Sequence, residues 1–412
     1  MTILKGMRVV EGSAFVAVPL AGMSLAQMGA EVIRFDRIGG GLDAGRWPLA
    51  PNGHSLFWAG MNKGKKSIAV DMKSDEGREL ISEIITAPGD DAGLFLTNLR
   101  VRGWMDHETL STRRADLIMV TLTGDRHGRP QVDYTVNPAL GIPMMTGPED
   151  SPDPVAHALP AWDLIAGNMC VSALLAAERH RLRGHGGQEV EIALKDVAAA
   201  TLGHLGMIGD VAVNGADRGK AGNALYGAYG QDFLCADGRR IMVIGLTHRQ
   251  WRGLVSTMGL RDEIAALETR LGVPLDDEGN RWRHRKAITE VFAPWFAARR
   301  VGDFETEFNA AGLTWSEFRT VRQAMADDPD LSADNPMFSP VSHPDTGTYL
   351  TPAHPANFQA SPRAAPMAAP VLGAHTEEIL AEIVGLGSGQ IGALMDKGVV
   401  AGPGRKAETS AA

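Results

Sequence analysis

Asp163 is the residue whose type and position in this sequence are best suited to covalent chemistry. It follows a Pro-containing turn, Ala158-Leu-Pro-Ala-Trp162, and precedes residues 164–183, where apolar side chains such as Ile165 and Met169 recur at helical spacing. This pattern predicts one buried helix with Asp163 at its N-terminal edge. Free backbone N–H groups at that edge could use the carboxylate as an N-cap, or could keep it ionised as a nucleophile. The local sequence leaves both roles open.

Other sequence signatures of catalysis are not found. The sequence has no His-x-x-x-His or Cys-x-x-Cys spacing and no acidic calcium loop, so we predict no metal site. It also has no Gly-x-Ser-x-Gly elbow and no P-loop. No carboxylate is placed by the sequence to pair with any of the twelve histidines as an acid–base partner. A single carboxylate at a helix start is the chemistry that remains, and it suits covalent carboxylate catalysis.

The composition indicates a globular protein of two or more domains. The chain has 412 residues, of which 44% are hydrophobic and 22% charged. Its net charge of −9 predicts no nucleic-acid partner. Two cysteines, Cys170 and Cys235, fit a reducing compartment better than a disulfide framework. Because the sequence shows no signal-peptide layout and no apolar run of about 18 residues, we expect a cytoplasmic protein without a membrane segment.

Alternation of strand and helix patterns predicts the fold class. Strands at 7–10 and 31–35 flank a helix at 19–28, which predicts a βαβ unit with parallel pairing. The alternation continues to residue 194 and predicts one large α/β layer. Farther along, Asp237-Gly238 predicts the turn of a hairpin, and residues 251–322 are mostly helical in pattern, as expected of a small separate domain.

Six short motifs are spread along nearly the whole chain. They are Arg8-Val-Val-Glu11, Leu25-Ala-Gln-Met-Gly-Ala-Glu-Val-Ile33, Asn62-Lys-Gly-Lys-Lys-Ser-Ile68, Ala161-Trp-Asp163, Gly187-Gln-Glu-Val190 and Leu372-Gly-Ala-His-Thr376. In order and spacing they resemble the class III, formyl-CoA transferase-like CoA transferases. The resemblance implies that Asp163 is the nucleophile of the site.

Five further motifs resemble those family members that move CoA between the two carboxyl groups of mesaconate. They are Val10-Glu-Gly-Ser-Ala-Phe15, Gly39-Gly-Gly-Leu-Asp43, Arg46-Trp-Pro48, Val132-Asp-Tyr-Thr-Val-Asn-Pro138 and Gly222-Asn-Ala-Leu-Tyr-Gly227. The likeness implies intramolecular transfer, in which 2-methylfumaryl-CoA becomes 3-methylfumaryl-CoA through an aspartyl-CoA thioester. It implies an acyl-CoA substrate and no cofactor beyond the CoA that this substrate carries.

The resemblance also implies which residues bind the substrate. Family positions that contact CoA match Phe15, Val16, Ala17, Arg37, Val70, Lys73, Asn98, Leu99 and, more loosely, Arg102. The family's mobile glycine loop matches Gly227, Tyr229 and Gly230, with two of its glycines replaced. Arg46 and Tyr134 are our candidates for binding the free carboxylate of the acyl chain, Arg46 because a guanidinium can bind a carboxylate with two parallel hydrogen bonds. A surface ion pair is the other role open to Arg46.

The quaternary structure implied by the resemblance is an interlocked homodimer, each subunit a ring threaded through the other. A Rossmann-like large α/β domain would be built from N- and C-terminal segments, with a small α+β domain inserted between them. We accordingly expect a large domain at 1–200, a linker at 201–225, a small domain at 226–330, a return segment at 331–405 and a mobile tail at 406–412.

Three other functions stay open at this stage. The first is intermolecular transfer of CoA to a separate acid. The second is α-methylacyl-CoA racemisation, which needs a His–Asp acid–base pair. Val132 stands where racemases of this fold place the histidine, and this argues against racemisation. The third is CoA binding without catalysis.

Overall fold

The computed structural model describes residues 2–99 and 103–404, and the chain divides into two units. Unit 1 combines three stretches, within Met1–Leu140, Ala158–Ile208 and Pro329–Ala412. Unit 2 combines Gly141–His157 with Gly209–Asp328. Each unit is described by itself below.

The strands and helices follow one another in the alternation that the sequence predicts. The strands are β1 (Arg8–Gly12), β2 (Glu31–Arg37), β3 (Lys66–Val70), β4 (Leu94–Thr97), β5 (Ile118–Thr123), β6 (Gln188–Ala193), β7 (Tyr229–Leu234), β8 (Arg240–Gly245), β9 (Thr314–Glu317), β10 (Phe338–His343), β11 (Gly347–Pro352) and β12 (Val400–Ala401). The helices are α1 (Ala17–Gln27), α2 (Leu56–Met61), α3 (Asp75–Thr86), α4 (His107–Ser111), α5 (Asp133–Ala139), α6 (Ile142–Met145), α7 (Ala161–His180), α8 (Leu194–His204), α9 (Met207–Asn214), α10 (His248–Thr257), α11 (Arg261–Leu271), α12 (Glu278–Arg283), α13 (Arg285–Ala297), α14 (Glu305–Ala310), α15 (Val321–Asp327), α16 (Thr376–Ile379) and α17 (Ser388–Asp396).

A seven-stranded sheet forms the centre of unit 1. Its strand order is β12-β3-β2-β1-β4-β5-β6, and its neighbours pair in parallel except β12, which is antiparallel to β3. Side chains on both faces of these strands are buried, for example Val9 and Val10 in β1 and Leu96 in β4. Burial on both faces is typical of parallel strands covered by helices. The predicted α/β class is confirmed.

The direction of strand addition reverses between β1 and β4. From β1 the chain adds β2 and β3 on one side, and then adds β4, β5 and β6 on the other. Loops that follow two neighbouring parallel strands diverge at such a switch point, and the crevice between them is where open α/β sheets bind ligands. In this chain those loops begin at Ser13, after β1, and at Asn98, after β4.

Unit 2 contains a smaller antiparallel sheet in the order β7-β8-β9. β7 and β8 form the hairpin that Asp237-Gly238 predicts, and Gly238 has the positive φ of 78° that such a turn requires. Aromatic side chains from the sheet and from α13 pack together in the core, with the rings of Phe233 and Phe296 4.5 Å apart and stacked. The predicted hairpin is confirmed.

The division into units differs from the predicted domain boundaries. Residues 141–157, predicted to lie in the large domain, belong to unit 2 because they are held by distant parts of that unit. The N–H of Gly222 donates to the Gly147 carbonyl at 3.1 Å, and Arg285 binds Glu149 at 2.8 Å. Residues 201–225 differ from the predicted linker, since 201–204 complete α8 and 207–214 form α9, while 215–225 lie outside helices and strands. The predicted tail at 406–412 lies outside the described residues.

Helix α7 also differs from its prediction. It begins at Ala161 and ends at His180, followed by a π-helical turn at Arg181–His185. Its buried face is formed by Trp162, Ala166, Gly167, Cys170, Leu174 and Ala177. Ile165 and Met169, which the spacing predicted to be buried, are 37% and 41% exposed. The spacing correctly identified a helix and an apolar stripe, but not the face that this chain buries by itself.

No single helix in the described part of the chain is long and apolar enough to cross a bilayer, although the bent pair α8 and α9 meets the length and composition requirement together. Within residues 2–99 and 103–404, no group of three or more His, Cys, Asp or Glu side chains could hold a metal ion.

Candidate active site

Asp163 lies in the first turn of α7, two residues after the first helical residue. The N-cap position belongs to Pro160, which makes no side-chain capping hydrogen bond. Of the two roles left open for Asp163, that of N-cap is excluded, because the helix begins at Ala161 rather than after Asp163. A carboxylate at this third position remains close to the free N–H groups and to the positive end of the helix dipole.

A second carboxylate occupies the N-terminal end of α7. Oδ2 of Asp133 accepts hydrogen bonds from the backbone N–H of Trp162 at 2.7 Å and of Asp163 at 3.2 Å. Asp133 is the first residue of α5 and is only 1% exposed, and Trp162 Nε1 also donates to Asn137 of the same helix at 3.2 Å. Because Asp133 satisfies these N–H groups, the Asp163 carboxylate is not needed as their acceptor.

The environment of Asp163 makes its ionisation less favourable than usual. Partial burial, and next the negative charge of Asp133, raise the pKa of Asp163 to about 6, while Arg46 opposes the increase. The expectation that helix N–H groups would favour the ionised form is therefore wrong in direction. These groups donate to Asp133, which turns a stabilising contact into a like-charge repulsion. A carboxylate destabilised in this way is a stronger base and nucleophile at neutral pH, where it is still ionised.

Arg46 is the positive charge that acts on Asp163. Its side chain is exposed, and its guanidinium lies over the rings of Phe15 at 5.3 Å and Phe57 at 5.1 Å. Within the described chain, no carboxylate lies at ion-pairing distance from this guanidinium. A cation held between aromatic rings keeps its hydrogen-bond donors free. The surface ion pair considered for Arg46 is thus absent, and its donors are available to an anionic ligand.

Asn98 joins the two loops at the switch point of the sheet. Its Nδ2 donates to the Ala14 carbonyl at 2.8 Å, and its Oδ1 accepts from the Ala14 N–H at 2.9 Å. The next residue, Phe15, has a φ of 68°, which is unusual for a bulky side chain. A strained residue held by a neighbouring hydrogen bond is a common feature of ligand sites. The structure thus brings together Phe15 and Asn98, both predicted to contact CoA.

The other predicted CoA-binding residues that the structure describes lie at or shortly after the carboxyl ends of β1, β2, β3 and β4. Val16, Ala17 and Val70 are buried, so their backbones are the part that a ligand could reach. Arg37, the last residue of β2, and Lys73, which follows β3, are exposed. Leu99 lines a cavity of about 510 Å³ together with Asn98, beside β4 and β5. Arg102 lies outside the described residues.

The residues matched to the family's mobile glycine loop lie in unit 2, in two different settings. Gly227 is a half-buried turn residue with a φ of 81°. Tyr229 and Gly230 instead begin β7, and Tyr229 is fully buried with its hydroxyl 3.2 Å from that of Thr289. A side chain in the core of the unit cannot close over a substrate, so the loop role predicted for Tyr229 is wrong.

Sequence reasoning missed Asp133 and Phe57. Asp133 lies in the Val132–Pro138 motif and Phe57 lies in none of the motifs, and neither has a local spacing that reveals its contact. Asp133 caps a helix that begins 28 residues later in the chain. A buried Asp at the start of one helix, within a motif shared with the related enzymes, is the signal that could have pointed to it. Tyr134, the next residue, is 53% exposed on α5.

The chain is similar to known proteins over nearly its full length. The model of CoA-transferase family III matches residues 4–376. A protein named 2-methylfumaryl-CoA isomerase, from Chloroflexus aurantiacus, is 55% identical over 406 residues, which is 98% of this chain and 99% of that protein. A protein of Mus musculus named succinyl-CoA:glutarate CoA-transferase is 24% identical, covering 96% and 90%. The crystal structure of a CAIB/BAIF family protein from Brucella suis has a TM-score of 0.76 at 24% identity, covering 93% and 99%, and so shares the fold.

The raised pKa of Asp163 predicts how Asp163→Asn changes stability with pH. The unfolded chain loses the proton near the ordinary pKa of 3.8, whereas the folded chain holds it to about pH 6. Stability is therefore lost as pH rises through this window, and stays lower above it. We expect Asp163→Asn to unfold with the same free energy as wild type near pH 4 and to be more stable by about 1–3 kcal/mol above pH 7.

Denaturant titrations at several pH values measure this difference. Asp133→Asn is the matched control background, since an amide oxygen can still accept the two N–H groups without carrying a charge. In that background the gain from Asp163→Asn should shrink. An equal gain at pH 4 and pH 8 would show that Asp163 titrates normally.

Proposed function

The chain belongs to CoA-transferase family III, and on this premise we propose that it moves CoA within one substrate molecule, from the C1 to the C4 carboxyl group of mesaconate. The reaction converts 2-methylfumaryl-CoA into 3-methylfumaryl-CoA. The observation that carries this proposal is the full-length 55% identity to a relative named for that isomerisation. The raised pKa of the Asp163 carboxylate and the unpaired Arg46 beside it support the same chemistry.

Asp163 is the nucleophile of the proposed mechanism. One of its carboxylate oxygens attacks the C1 carbonyl of the thioester, the C–S bond breaks, and a mixed anhydride and CoA thiolate form. The thiolate then attacks the aspartyl carbonyl of the anhydride. The C–O bond to the aspartyl carbonyl breaks, leaving an aspartyl-CoA thioester and free mesaconate. One difficult displacement is thereby divided into easier ones.

The second half of the reaction repeats these steps in reverse on the other carboxyl group. The C4 carboxylate of mesaconate attacks the aspartyl thioester, which gives a second mixed anhydride and releases the thiolate. The thiolate attacks the C4 carbonyl, and Asp163 leaves as a carboxylate. Each step exchanges one anion for another, so no proton is transferred. A mechanism without proton transfer needs no histidine, and Val132 stands where a racemase of this fold has one.

Arg46 is proposed to bind whichever carboxylate of mesaconate is not reacting. With Asp163, Asp133 and a substrate carboxylate close together, a positive charge is required to limit their repulsion. The two carboxyl groups of this trans diacid exchange places when the molecule makes a half-turn, and only the methyl group then changes position. One guanidinium with free donors can therefore serve both halves of the reaction. Tyr134, exposed beside Asp133, is the second candidate for this contact.

The CoA moiety is proposed to bind at the switch point of the sheet. Phe15 and Asn98 form its centre, with the backbone of Val16 and Ala17 and the exposed Arg37 and Lys73 along the same sheet edge. The two cations suit the phosphate groups of CoA. The free N-terminal end of α1, which begins at Ala17 and has no side-chain cap, also favours an anion.

The main alternative is transfer of CoA to a separate acid, because the mouse relative at 24% identity is named for such a reaction. Incubation of the enzyme with the C1 ester and isotope-labelled free mesaconate separates the two. We expect C4 ester without label, since the acid formed in the site stays there. Label entering the ester at the rate of isomerisation indicates the intermolecular route.

Asp163→Ala is the control for the nucleophile in this experiment. It removes the attacking oxygen, and loss of the nucleophile of a covalent mechanism lowers kcat by roughly 10⁴-fold or more. We expect no isomerisation above background in this variant. Chromatography of the two esters measures it. Isomerisation that persists in Asp163→Ala removes the proposed mechanism.

We also propose that the protein is a homodimer. Its two subunits would be interlocked rings, as the resemblance to class III CoA transferases implies, and unit 2 would be the inserted domain. Several large apolar side chains of unit 1 are exposed, namely Leu159, Ile165, Met169, Leu205 and Ile208. A second copy of the chain is proposed to cover them. Two of them are on the α7 stripe that helical spacing predicted to be buried. Apolar faces of this kind are commonly covered in the assembled protein.

Light scattering and subunit exchange test the dimer. We expect a mass of two chains that persists on dilution to nanomolar concentration. Because interlocked rings separate only on unfolding, tagged and untagged dimers should not exchange subunits under native conditions. Ile165→Glu with Met169→Glu should reduce dimer yield. A mass of one chain contradicts the dimer, and exchange within minutes contradicts interlocking.

A further inference from the structure

A cluster of buried charges lies beneath the loop that carries Arg46. Glu11 of β1, Arg34 and Asp36 of β2, Asp43 and Lys65 are all less than a tenth exposed. Arg34 is the centre of the cluster, bonded to Asp36 from both Nε at 2.9 Å and Nη2 at 3.0 Å. Lys65 lies 2.8 Å from Glu11. Buried charges of this kind are retained only when they are paired, and they fix the positions of the segments that carry them.

Asp43 differs from the other carboxylates around Arg34 because it lies in a loop rather than on a strand. Its Oδ2 is 2.8 Å from Arg34 Nη2, and its Oδ1 is buried without a hydrogen-bond partner among the described residues. The ion pair with Arg34 is thus the contact that holds this carboxylate. The loop at 39–48 is rich in glycine, and Gly39 and Gly40 both have positive φ. Such a loop loses much conformational entropy when it is ordered, so its position depends on an anchor.

Arg46 is connected directly to this anchor. Its N–H donates to the Asp43 carbonyl at 3.3 Å, and its own carbonyl accepts from the Ser55 hydroxyl at 2.5 Å. These contacts fix the backbone from which the side chain extends between the rings of Phe15 and Phe57. The path from the sheet to the guanidinium therefore runs from Arg34 through Asp43 to Arg46.

We propose that Asp43 is a positioning residue for Arg46, and that its ion pair with Arg34 holds the 39–48 loop so that the guanidinium faces Asp163 and the free carboxylate of the substrate. The inference rests on the proposed function for the identity of that carboxylate. The opposing effect of the Arg46 charge on the pKa of Asp163 is independent of it. Asp43 contacts no substrate in this account and acts only through Arg46.

Asp43→Asn tests the proposal, with Asp36→Asn as the matched control. Both substitutions remove one negative charge from the same guanidinium, but Asp36 lies on β2 and not in the loop. We expect Asp43→Asn to raise KM for 2-methylfumaryl-CoA by about 10- to 100-fold. The displaced Arg46 would no longer make its charged hydrogen bond to the substrate carboxylate, and the loss of such a bond has about this effect. Asp36→Asn should leave KM near that of wild type.

The pH profile of kcat/KM provides a readout that a purely structural role would not change. Asp133 of α5 and Arg46 of the loop are the charged groups that act on Asp163. When Arg46 moves away, the remaining repulsion should shift the acidic limb to higher pH in Asp43→Asn and in Arg46→Ala alike. The double variant should be no worse than Arg46→Ala alone, since a positioning residue has nothing left to position.

Hydrogen exchange of the 39–48 peptide tests the same inference without substrate. It should be faster in Asp43→Asn and unchanged in Asp36→Asn. If wild type fails to isomerise the ester, the proposed function is lost, while the exchange comparison still decides the role of Asp43. Equal exchange in the two variants, or additive effects of Asp43→Asn and Arg46→Ala, overturns the inference. If Asp43→Asn does not fold, Asp43→Glu and Asp36→Glu give the same comparison with the charge retained.

Discussion

In the first turn of α7, the backbone N–H groups of Trp162 and Asp163 donate hydrogen bonds to the carboxylate of Asp133 rather than to that of Asp163. The chemistry of the site changes because Asp133, and not Asp163, accepts these hydrogen bonds. Asp163 stays at the positive end of a helix, but it has a negative charge beside it, and the N–H groups of Trp162 and Asp163 donate to that neighbour, Asp133. Its pKa, raised to about 6, leaves it ionised at neutral pH. In the proposed mechanism it then forms an uncharged anhydride.

In the proposed mechanism, acylation of Asp163 relieves this repulsion, and this would make the covalent intermediate easier to reach. When Asp163 becomes an anhydride or a thioester, its negative charge is lost and Asp133 no longer opposes it. The charge moves to the CoA thiolate or to the released carboxylate, and Arg46 is the cation placed to receive the latter. A site with two carboxylates and one arginine can therefore pass one negative charge among several groups without moving a proton.

The sheet of unit 1 supplies the fixed framework for these groups. Asn98 joins the loops that follow β1 and β4, and Arg34 joins the loop after β2 to the strands beneath it. Both connections fasten glycine-rich or strained segments to a sheet whose central strands are largely buried. Loops held in this way can present Phe15 and Arg46 to a ligand at low entropic cost on binding.

Local patterns in the sequence were sufficient for the α/β class, for a helix next to Asp163 and for the hairpin at Asp237-Gly238. These features depend on neighbours within a few residues. Contacts between distant segments could not be read in this way. The cap that Asp133 provides, the attachment of residues 141–157 to unit 2 and the burial of Tyr229 all depend on how separate elements pack. Ile165 shows the same limit, because periodicity indicates an apolar face but not what covers it.

The most direct measurement of the central claim is a hydroxylamine trap of the acylated enzyme. Hydroxylamine cleaves aspartyl thioesters and anhydrides and leaves a hydroxamate on the side chain, which peptide mass spectrometry can locate. The account predicts a hydroxamate at Asp163 when the enzyme is incubated with 2-methylfumaryl-CoA, and none without the ester or in Asp163→Asn. Turnover in the presence of hydroxylamine with Asp163 unmodified, or a hydroxamate on another residue, would contradict it.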